Sequence, residues 1–255
     1  MSRIDCISNR NIRIISAYLE KGVGIRPDSL FHDLPYPANR YRSAAEFFLN
    51  EDEWTTYDNF HRIFRRAKEL SGEPYFYFNC GASSAVLGSW GRFDYFKRVF
   101  AGPDEGFKNL PFFNSNINDT KDIEVVRPPF HDRSSKKVRV ILKVQYHEDV
   151  DVEKDYICDS YRRGMVSSIP TIWGLAPAVI RQPLNPYDPE VLLNREPEFA
   201  GWNLRARFED GILTIQYPPG SGRVKVGKRV FLEPEPVEGR YVFLGRYTEL
   251  SLIHI

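Results

Sequence analysis

Apolar residues recur at helical spacing through the first third of the chain. Ile12, Ile15 and Leu19 fall on one face of a predicted helix. Ser8 or Asn9 stands just before this face, and either side chain can accept a hydrogen bond from the first backbone N–H groups of the helix. Further helices are predicted over 80–87, 92–100 and 104–114. The segment 8–115 is therefore expected to be helical.

The segment TTYDNFHRIFRRAKELSG predicts the most regular helix of the chain. Thr55 or Thr56 can cap its start, and Gly72 can end it in the left-handed conformation that glycine adopts without a steric penalty. Its apolar face consists of Phe60, Ile63, Phe64, Ala67 and Leu70. This spacing predicts that one side of the helix packs into a core.

The pattern changes from helical to alternating at Lys121. IEVVRPP and KKVRVILKVQYHE predict two strands, the second alternating apolar with polar residues as a half-buried strand does. A helix is predicted in YICDSYRRGMVSSIP, broken before Pro170. Beyond Gly201 further strands follow, and Asp210-Gly211 is a strong hairpin turn. Helices first and strands later predict an α+β fold, with a helical N-terminal half packed with a mixed or antiparallel sheet.

This change of pattern gives the expected domain organisation. We expect one α+β domain over 8–199, helical over 8–115 and α/β over 120–199. The β-rich segment 200–249 is either an extension of the same sheet or a small second domain.

The last six residues, Leu250–Ile255, have the sequence LSLIHI. The end of the transposase adapter used in sequencing libraries translates to the same residues. A natural edge strand that matches by chance is the alternative. We expect that these six residues derive from the adapter and do not belong to the fold. We also expect that the natural chain continues past Glu249.

Composition narrows the classes of protein that the chain can represent. It has 255 residues and a formal net charge of +1, so no strong field recruits nucleic acid or an anionic membrane surface. No apolar run approaches the length of a membrane span, and the charged N-terminus lacks the apolar core of a signal peptide. The three cysteines are far apart, which favours reduced thiols over disulfides or a zinc site. We therefore expect a cytoplasmic protein without nucleic-acid or membrane partners.

The most unusual feature of the composition is an aromatic-rich stretch between residues 75 and 96. Aromatic rings can line a pocket for a small apolar ligand, with hydroxyl and amide groups fixing its orientation. Bulky rings at helical spacing also occur in ordinary cores, and this alternative stays open. Trp173, near a predicted turn, is a further candidate on the same argument. The candidate ligand-binding residues are Tyr75, Tyr77, Asn79, Trp90, Phe93 and Trp173.

The sequence carries no motif for catalysis or for cofactor binding. Gly22 and Gly24 follow a predicted helix rather than a strand, so they do not fit a dinucleotide-binding loop. None of the five histidines lies in a metal-binding spacing such as HxxxH. Cys80 is a candidate nucleophile only if the fold brings a base close to it. We expect no cofactor, no metal and no catalytic residue in these 255 residues.

Two segments resemble a known class of proteins. LNEDEWTTYDNFHRIFRRAKELSGEPYFYFNCG and YRRGMVSSIPTIWGLAPAVI resemble the input regions of bacterial signalling proteins, which precede a histidine kinase, a nucleotide cyclase or a sigma-54-type activator domain. The region 8–180 is also similar to vinyl-reductase-like and aromatic-responsive ligand-binding modules. The resemblance implies a sensory domain that binds a small molecule and controls an output domain. Some of those modules carry a metal-capable, cysteine-rich segment, whereas 181–199 contains no cysteine or histidine.

Three functions are compatible with these observations. The first is a cytoplasmic sensory domain of a truncated signalling protein, which binds a small, partly apolar molecule and controls a missing downstream output domain in the same chain. The second is a protein–protein interaction module without a ligand pocket, which uses its β-rich segment 201–249 and a basic helix face. The third is a thiol-dependent enzyme that uses Cys80. Signalling proteins commonly dimerise, and a homodimer stays open.

Overall fold

The computed structural model of the chain has an α+β fold. It describes residues 6–73, 75–92, 94–95, 99–133, 137–148, 150–151 and 155–180, and the backbone of the strands beyond residue 204. Two compact units make up the chain, the first being Met1–Val150 with Cys158–Val179 and the second Asp151–Ile157 with Ile180–Ile255. The segment Leu250–Ile255 lies outside the described residues.

Up to residue 180, the described part of the chain consists of helices and two antiparallel strand pairs. The helices are α1 Asn9–Ala17, α2 Ala44–Phe48, α3 Tyr57–Ser71, α4 Phe76–Leu87, α5 Pro103–Lys108, α6 Leu110–Ser115 and α7 Tyr156–Ser168. The strands are β1 Cys6–Ser8, β2 Trp54–Thr56, β3 Lys121–Asp132 and β4 Lys137–Tyr146. β1 pairs with β2 and β3 pairs with β4, both antiparallel. A π-helical turn, Tyr18–Val23, follows α1, and 3-10 helices span Pro27–Phe31 and Ile169–Trp173.

The predicted helix caps are confirmed. The Ser8 hydroxyl accepts a hydrogen bond from the backbone N–H of Arg10 at 3.3 Å and caps α1. The Thr56 hydroxyl accepts from the backbone N–H of Asn59, also at 3.3 Å, and caps α3. Gly72 ends α3 with a φ of 64°, a conformation that favours glycine. Both helices therefore begin where their sequence offers a hydroxyl acceptor.

Two predicted helices differ from the structure in their bounds. The helix expected over 104–114 is two short helices, α5 and α6, which Asn109 separates. Pro111 lies in the first turn of α6, where its missing N–H costs no helical hydrogen bond, so a new helix starts there. The helix expected over 80–87 begins earlier, at Phe76. The one expected over 92–100 lies partly outside the described residues.

The strand pattern is confirmed on both sides of residue 180. The pairing of β3 with β4 shifts register between Val125 and Phe130, where Pro128 and Pro129 have no N–H to donate. The second unit contains β5 Arg205–Glu209, β6 Ile212–Tyr217, β7 Val224–Val226, β8 Arg229–Phe231 and β9 Val242–Tyr247. Its sheets have the orders β5-β6-β9 and β7-β8. Glu209 pairs with Ile212, which confirms the hairpin predicted at Asp210-Gly211.

An aromatic cluster centred on Phe64 joins three helices of the first unit. The ring centroid of Phe64 lies 4.6 Å from that of Tyr77 on α4 and 5.1 Å from that of Tyr161 on α7, both in edge-on geometry. Phe60 and Phe76 complete the cluster at 5.3 and 6.0 Å from Phe64. Edge-on pairs of this kind stabilise a core beyond the burial of their area. The aromatic stretch of α4 is therefore at least partly core.

Two glycines allow α4 and α7 to approach each other closely. A Cβ atom on Gly81 of α4 would overlap the backbone carbonyl of Tyr161 on α7. A Cβ atom on Gly164 of α7 would overlap the carbonyl of Phe78 and lie 2.7 Å from the backbone nitrogen of Ala82, both on α4. The obstructing atoms are backbone, which cannot rotate away. Neither position admits a side chain at this helix spacing.

Gly81→Ala is expected to destabilise the protein by about 2 kcal/mol or more, because overpacking against backbone outweighs the helix propensity gained from alanine. Chemical denaturation would measure this loss. Gly102→Ala is the matched control, since a Cβ atom there meets no heavy atom within 4 Å. It should change the free energy of unfolding by less than about 1 kcal/mol. Equal effects of the two substitutions would contradict the close helix contact.

Candidate functional site

A cavity of about 130 Å³ lies within the first unit. Its walls come from helices, from the start of β3 and from the 3-10 helix that follows α7. Lining residues on α4 and α7 are Ser84, Ala85, Cys158, Tyr161, Arg162, Met165, Val166 and Ser168. Others are Ile7, Asn11, Phe60, Trp90, Phe100, Gly106, Leu110, Phe113, Asn114, Ile117, Asn118, Lys121, Ile123, Ile169, Ile172 and Trp173. The lining is predominantly apolar, with polar groups concentrated on α6, β3 and α7.

Two tryptophans in the lining are held in place by their indole N–H groups. Trp90 donates to the backbone carbonyl of Ser84 at 3.1 Å, at the C-terminal end of α4. Trp173 donates to the backbone carbonyl of Phe100, also at 3.1 Å. Gly106 of α5 makes room for the second ring, because a Cβ atom there would lie 2.9 Å from the Trp173 Cη2 atom. Both rings thus have fixed orientations in the cavity wall.

The structure brings together two of the six residues that the sequence suggested for ligand binding. Among the described residues, the cavity lining includes Trp90 and Trp173 but not Tyr75, Tyr77 or Asn79.

Three other candidates lie on or just before α4, away from the cavity. Tyr77 packs in the Phe64 cluster, Tyr75 is 52% exposed before the first turn of α4, and the Asn79 side chain hydrogen bonds with Tyr18. Phe93 lies outside the described residues. The separation has a simple geometric cause. Ser84, where α4 reaches the cavity, is seven residues beyond Tyr77, or about 10 Å along the helix axis.

Lys121 contributes a buried amine to the lining of this apolar cavity. Its side chain belongs to the first residue of β3, and its Nζ atom lies 4.9 Å from the ring centroid of Tyr146. Burial, and secondly the charge of Arg162, lower the pKa of Lys121 to about 7, against a smaller opposing effect of Cys158 and Asp159. The amine is therefore partly neutral near neutral pH, unlike a solvated lysine.

Arg162 lies one turn along α7 from Cys158 and also lines the cavity. Its guanidinium pairs with the buried carboxylate of Asp159, which also lies 3.5 Å from the Nε atom of Arg163. Neither Lys121 nor Arg162 was expected from the sequence. Other charged residues flank both of them, Asp122 and Glu124 near Lys121 and Arg163 beside Arg162, so no local pattern sets them apart.

A thiol and an imidazole meet at the wall of the cavity. The Sγ atom of Cys158 lies 3.5 Å from Nε2 of His61 on α3. The Tyr57 hydroxyl donates to the same sulfur at 3.9 Å, and the Tyr57 and His61 rings pack with centroids 4.3 Å apart. Cys158 and His61 are both buried, and Cys158 lines the cavity. Thiolate and imidazole are also ligand types that zinc prefers.

Cys80, the cysteine considered in the sequence analysis, has different surroundings. It is fully buried on α4, and burial, with a further contribution from the charge of Glu73, raises the pKa of its thiol well above the ordinary value. Such an environment disfavours the thiolate that acts as a nucleophile. Of these two cysteines, Cys158 is the one with a histidine within hydrogen-bond distance in the described part of the chain.

Comparison with protein-family models, with curated proteins and with solved structures finds no match to this chain. The resemblance to signalling input regions therefore stays an expectation. Across the described part of the chain, no helix has both the length and the apolar character required to cross a membrane.

Lys121→Met is expected to remove one pH dependence of stability. Because the pKa of Lys121 is near 7 in the folded protein and near 10.4 in an unfolded chain, the unfolded state binds more protons between these values. The wild-type free energy of unfolding then gains about 1.4 kcal/mol per pH unit between pH 7 and 10 from this group. The free energies of unfolding of the wild type and of Lys121→Met are measured in urea at pH 7, 8 and 9. The advantage of the methionine variant should shrink as pH rises. Parallel pH profiles would mean that the amine is solvated.

Proposed function

We propose that the first unit is a ligand-sensing domain, and that a small, mostly apolar molecule occupies the cavity lined by Trp90 and Trp173. The observation that carries the proposal is the cavity itself, about 130 Å³ in volume. An engineered apolar cavity of about 150 Å³ binds benzene. Drug-sized ligands need roughly 300 Å³ or more, so the expected ligand is no larger than a single ring.

The lining supports a ligand that is apolar over most of its surface and polar at one end. The indole rings and the side chains of Leu110, Ile123 and Val166 offer apolar contacts. Lys121 and Arg162 offer N–H donors, and Asn11, Asn114 and Asn118 offer side-chain amides. A small ring that bears one oxygen fits this division, because a few polar groups fix orientation in an otherwise apolar site.

Regulation by such a ligand follows from the way the walls are assembled. The lining combines segments far apart in the sequence, including α4, β3, α7 and the 3-10 helix Ile169–Trp173. A ligand that contacts all of them favours the arrangement in which they are close. In a sensory domain of a bacterial signalling protein, as the resemblance implies, this shift would bias an output domain of the same chain.

An interaction module without a pocket is the alternative function. Such a module needs no internal space, and its core would be closely packed. In this structure a cavity lies beside both Trp90 and Trp173. The cavity therefore favours ligand sensing over this alternative.

Ala85→Leu is expected to abolish ligand binding without unfolding the protein, because leucine favours helices and its side chain would fill part of the cavity. The probe is benzene, titrated by calorimetry and by the shift of the melting temperature. The matched control is Val86→Leu, on the next residue of α4, where the side chain is 73% exposed.

Wild type and Val86→Leu should bind benzene at a single saturable site, with Ala85→Leu showing no heat and no stabilisation. Equal binding by Ala85→Leu and the control would place the ligand elsewhere. Absence of benzene binding and of binding by cyclohexanone, a single-ring ketone of similar size, would refute the proposed function.

A further inference from the structure

We infer that Cys158 is an activated thiol that forms a covalent adduct with a small electrophile inside the cavity, with His61 as its base. The chemical class that fits is a compact, uncharged α,β-unsaturated carbonyl compound. This inference rests on the proposed function, because the electrophile must first enter the cavity. It goes further by assigning a reaction to the site.

The contact between Cys158 and His61 has the geometry of a nucleophile and its base. The 3.5 Å between Sγ and Nε2 suits a hydrogen bond to sulfur, along which a proton can move to the imidazole. Tyr57, one turn before His61 on α3, packs against the imidazole ring and donates to the same sulfur. The imidazole is thereby held beside the thiol, as a base must be.

Charged groups of both signs surround the sulfur. A carboxylate oxygen of the buried Asp155 lies within 4.8 Å of Sγ of Cys158 and of a ring nitrogen of His61, so it opposes the thiolate but stabilises the imidazolium that the proton transfer forms.

The helix and two cations favour the thiolate. Cys158 is the third residue of α7, where the positive end of the helix dipole stabilises an anion. A negative charge on Cys158 raises the pKa of Lys121, against the larger lowering by burial. The thiolate and the ammonium group therefore attract each other. Arg162 adds a further cation and Asp159 an opposing anion on the same helix.

The access of Cys158 distinguishes it from the other buried thiol. Cys158 lines the cavity, whereas Cys80 is absent from the lining formed by the described residues. Cys80 also lies beside the anionic Glu73 rather than beside a histidine. Cys80 therefore serves as an internal control, a buried cysteine that does not line the cavity and that makes no histidine contact among the described residues.

The proposed reaction is a conjugate addition, which balances without any other reactant. The proton of the Cys158 thiol passes to Nε2 of His61, and the sulfur forms a bond to the β-carbon of the electrophile. The carbon–carbon double bond opens, and its electron pair moves toward the carbonyl oxygen to give an enolate. The imidazolium then returns the proton to the α-carbon. A saturated thioether results, with no leaving group and no change of redox state.

The cavity favours this class of electrophile over others. Its apolar walls admit uncharged molecules of single-ring size and disfavour charged reagents, which lose their hydration on entry. Lys121 and Arg162 line the same cavity as Cys158, and their N–H donors would stabilise the enolate oxygen. An unsaturated ketone therefore matches the thiol, the cations and the space.

The test compares 2-cyclohexen-1-one with cyclohexanone, which has almost the same shape but cannot add a thiol. Intact mass spectrometry and peptide mapping of the full chain would follow the adduct. We expect cyclohexenone to modify Cys158 at least about tenfold faster than Cys80, as an activated thiolate should. His61→Gln should slow the reaction about a hundredfold, the contribution of a general base. Ala85→Leu should slow it too, without altering the thiol or the imidazole.

Other outcomes separate this inference from the proposed function. Reversible binding of both ketones without an adduct on Cys158 would overturn the covalent reaction and leave the ligand site standing. Equal and slow modification of Cys80 and Cys158 would also overturn it. Modification that occurs only after treatment with EDTA would mean that the thiolate holds a metal ion, again overturning the inference. Failure of both ketones and of benzene to bind would refute the ligand site as well.

Discussion

The backbone contact between α4 and α7 is the constraint on which the candidate site depends. Gly81 and Gly164 remove the Cβ atoms that would keep the helices apart, so that carbonyl and nitrogen atoms of one helix face those of the other. At this spacing Tyr161 reaches the Phe64 cluster from α7, while its neighbours on the same helix line the cavity. Lining residues of the cavity come from both helices, so a wider spacing would change the cavity walls. Core packing and cavity geometry therefore depend on the same helix contact.

The cavity lies between two cores that differ in character. On one side is the aromatic cluster around Phe64. On the other is a smaller cluster of Phe107, Leu110 and Ile123, against which aliphatic residues of the hairpin β3–β4 pack. Burying the amine of Lys121 between these clusters costs folding free energy. If the amine had no function, an apolar residue at this position would make the protein more stable. Polar groups inside a core are expected at functional sites, where they serve binding or catalysis despite their cost in stability.

Local features of the fold followed from the sequence, whereas the site followed only in part. Caps at Ser8 and Thr56, the end of α3 at Gly72 and the hairpin around Asp210-Gly211 depend on neighbouring residues, and the structure bears them out. Trp90 and Trp173 were found because large aromatic rings are rare enough to be noticed. The pairing of His61 with Cys158 spans 97 residues of sequence, and no local pattern connects them. The spacing of aromatic residues also does not distinguish Tyr77, which packs in a core, from Trp90, which lines a cavity, because both environments bury aromatic rings.

The claim on which the functional account depends is that the cavity is a ligand site rather than a packing defect. A crystal structure of the full chain grown with cyclohexanone tests it most directly, because the ketone cannot react with the thiol. We predict electron density for one cyclohexanone molecule in contact with Trp90 and Trp173, with its carbonyl oxygen toward Lys121 and Arg162. A cavity closed by the tryptophan side chains, or empty at saturating ketone, would contradict it.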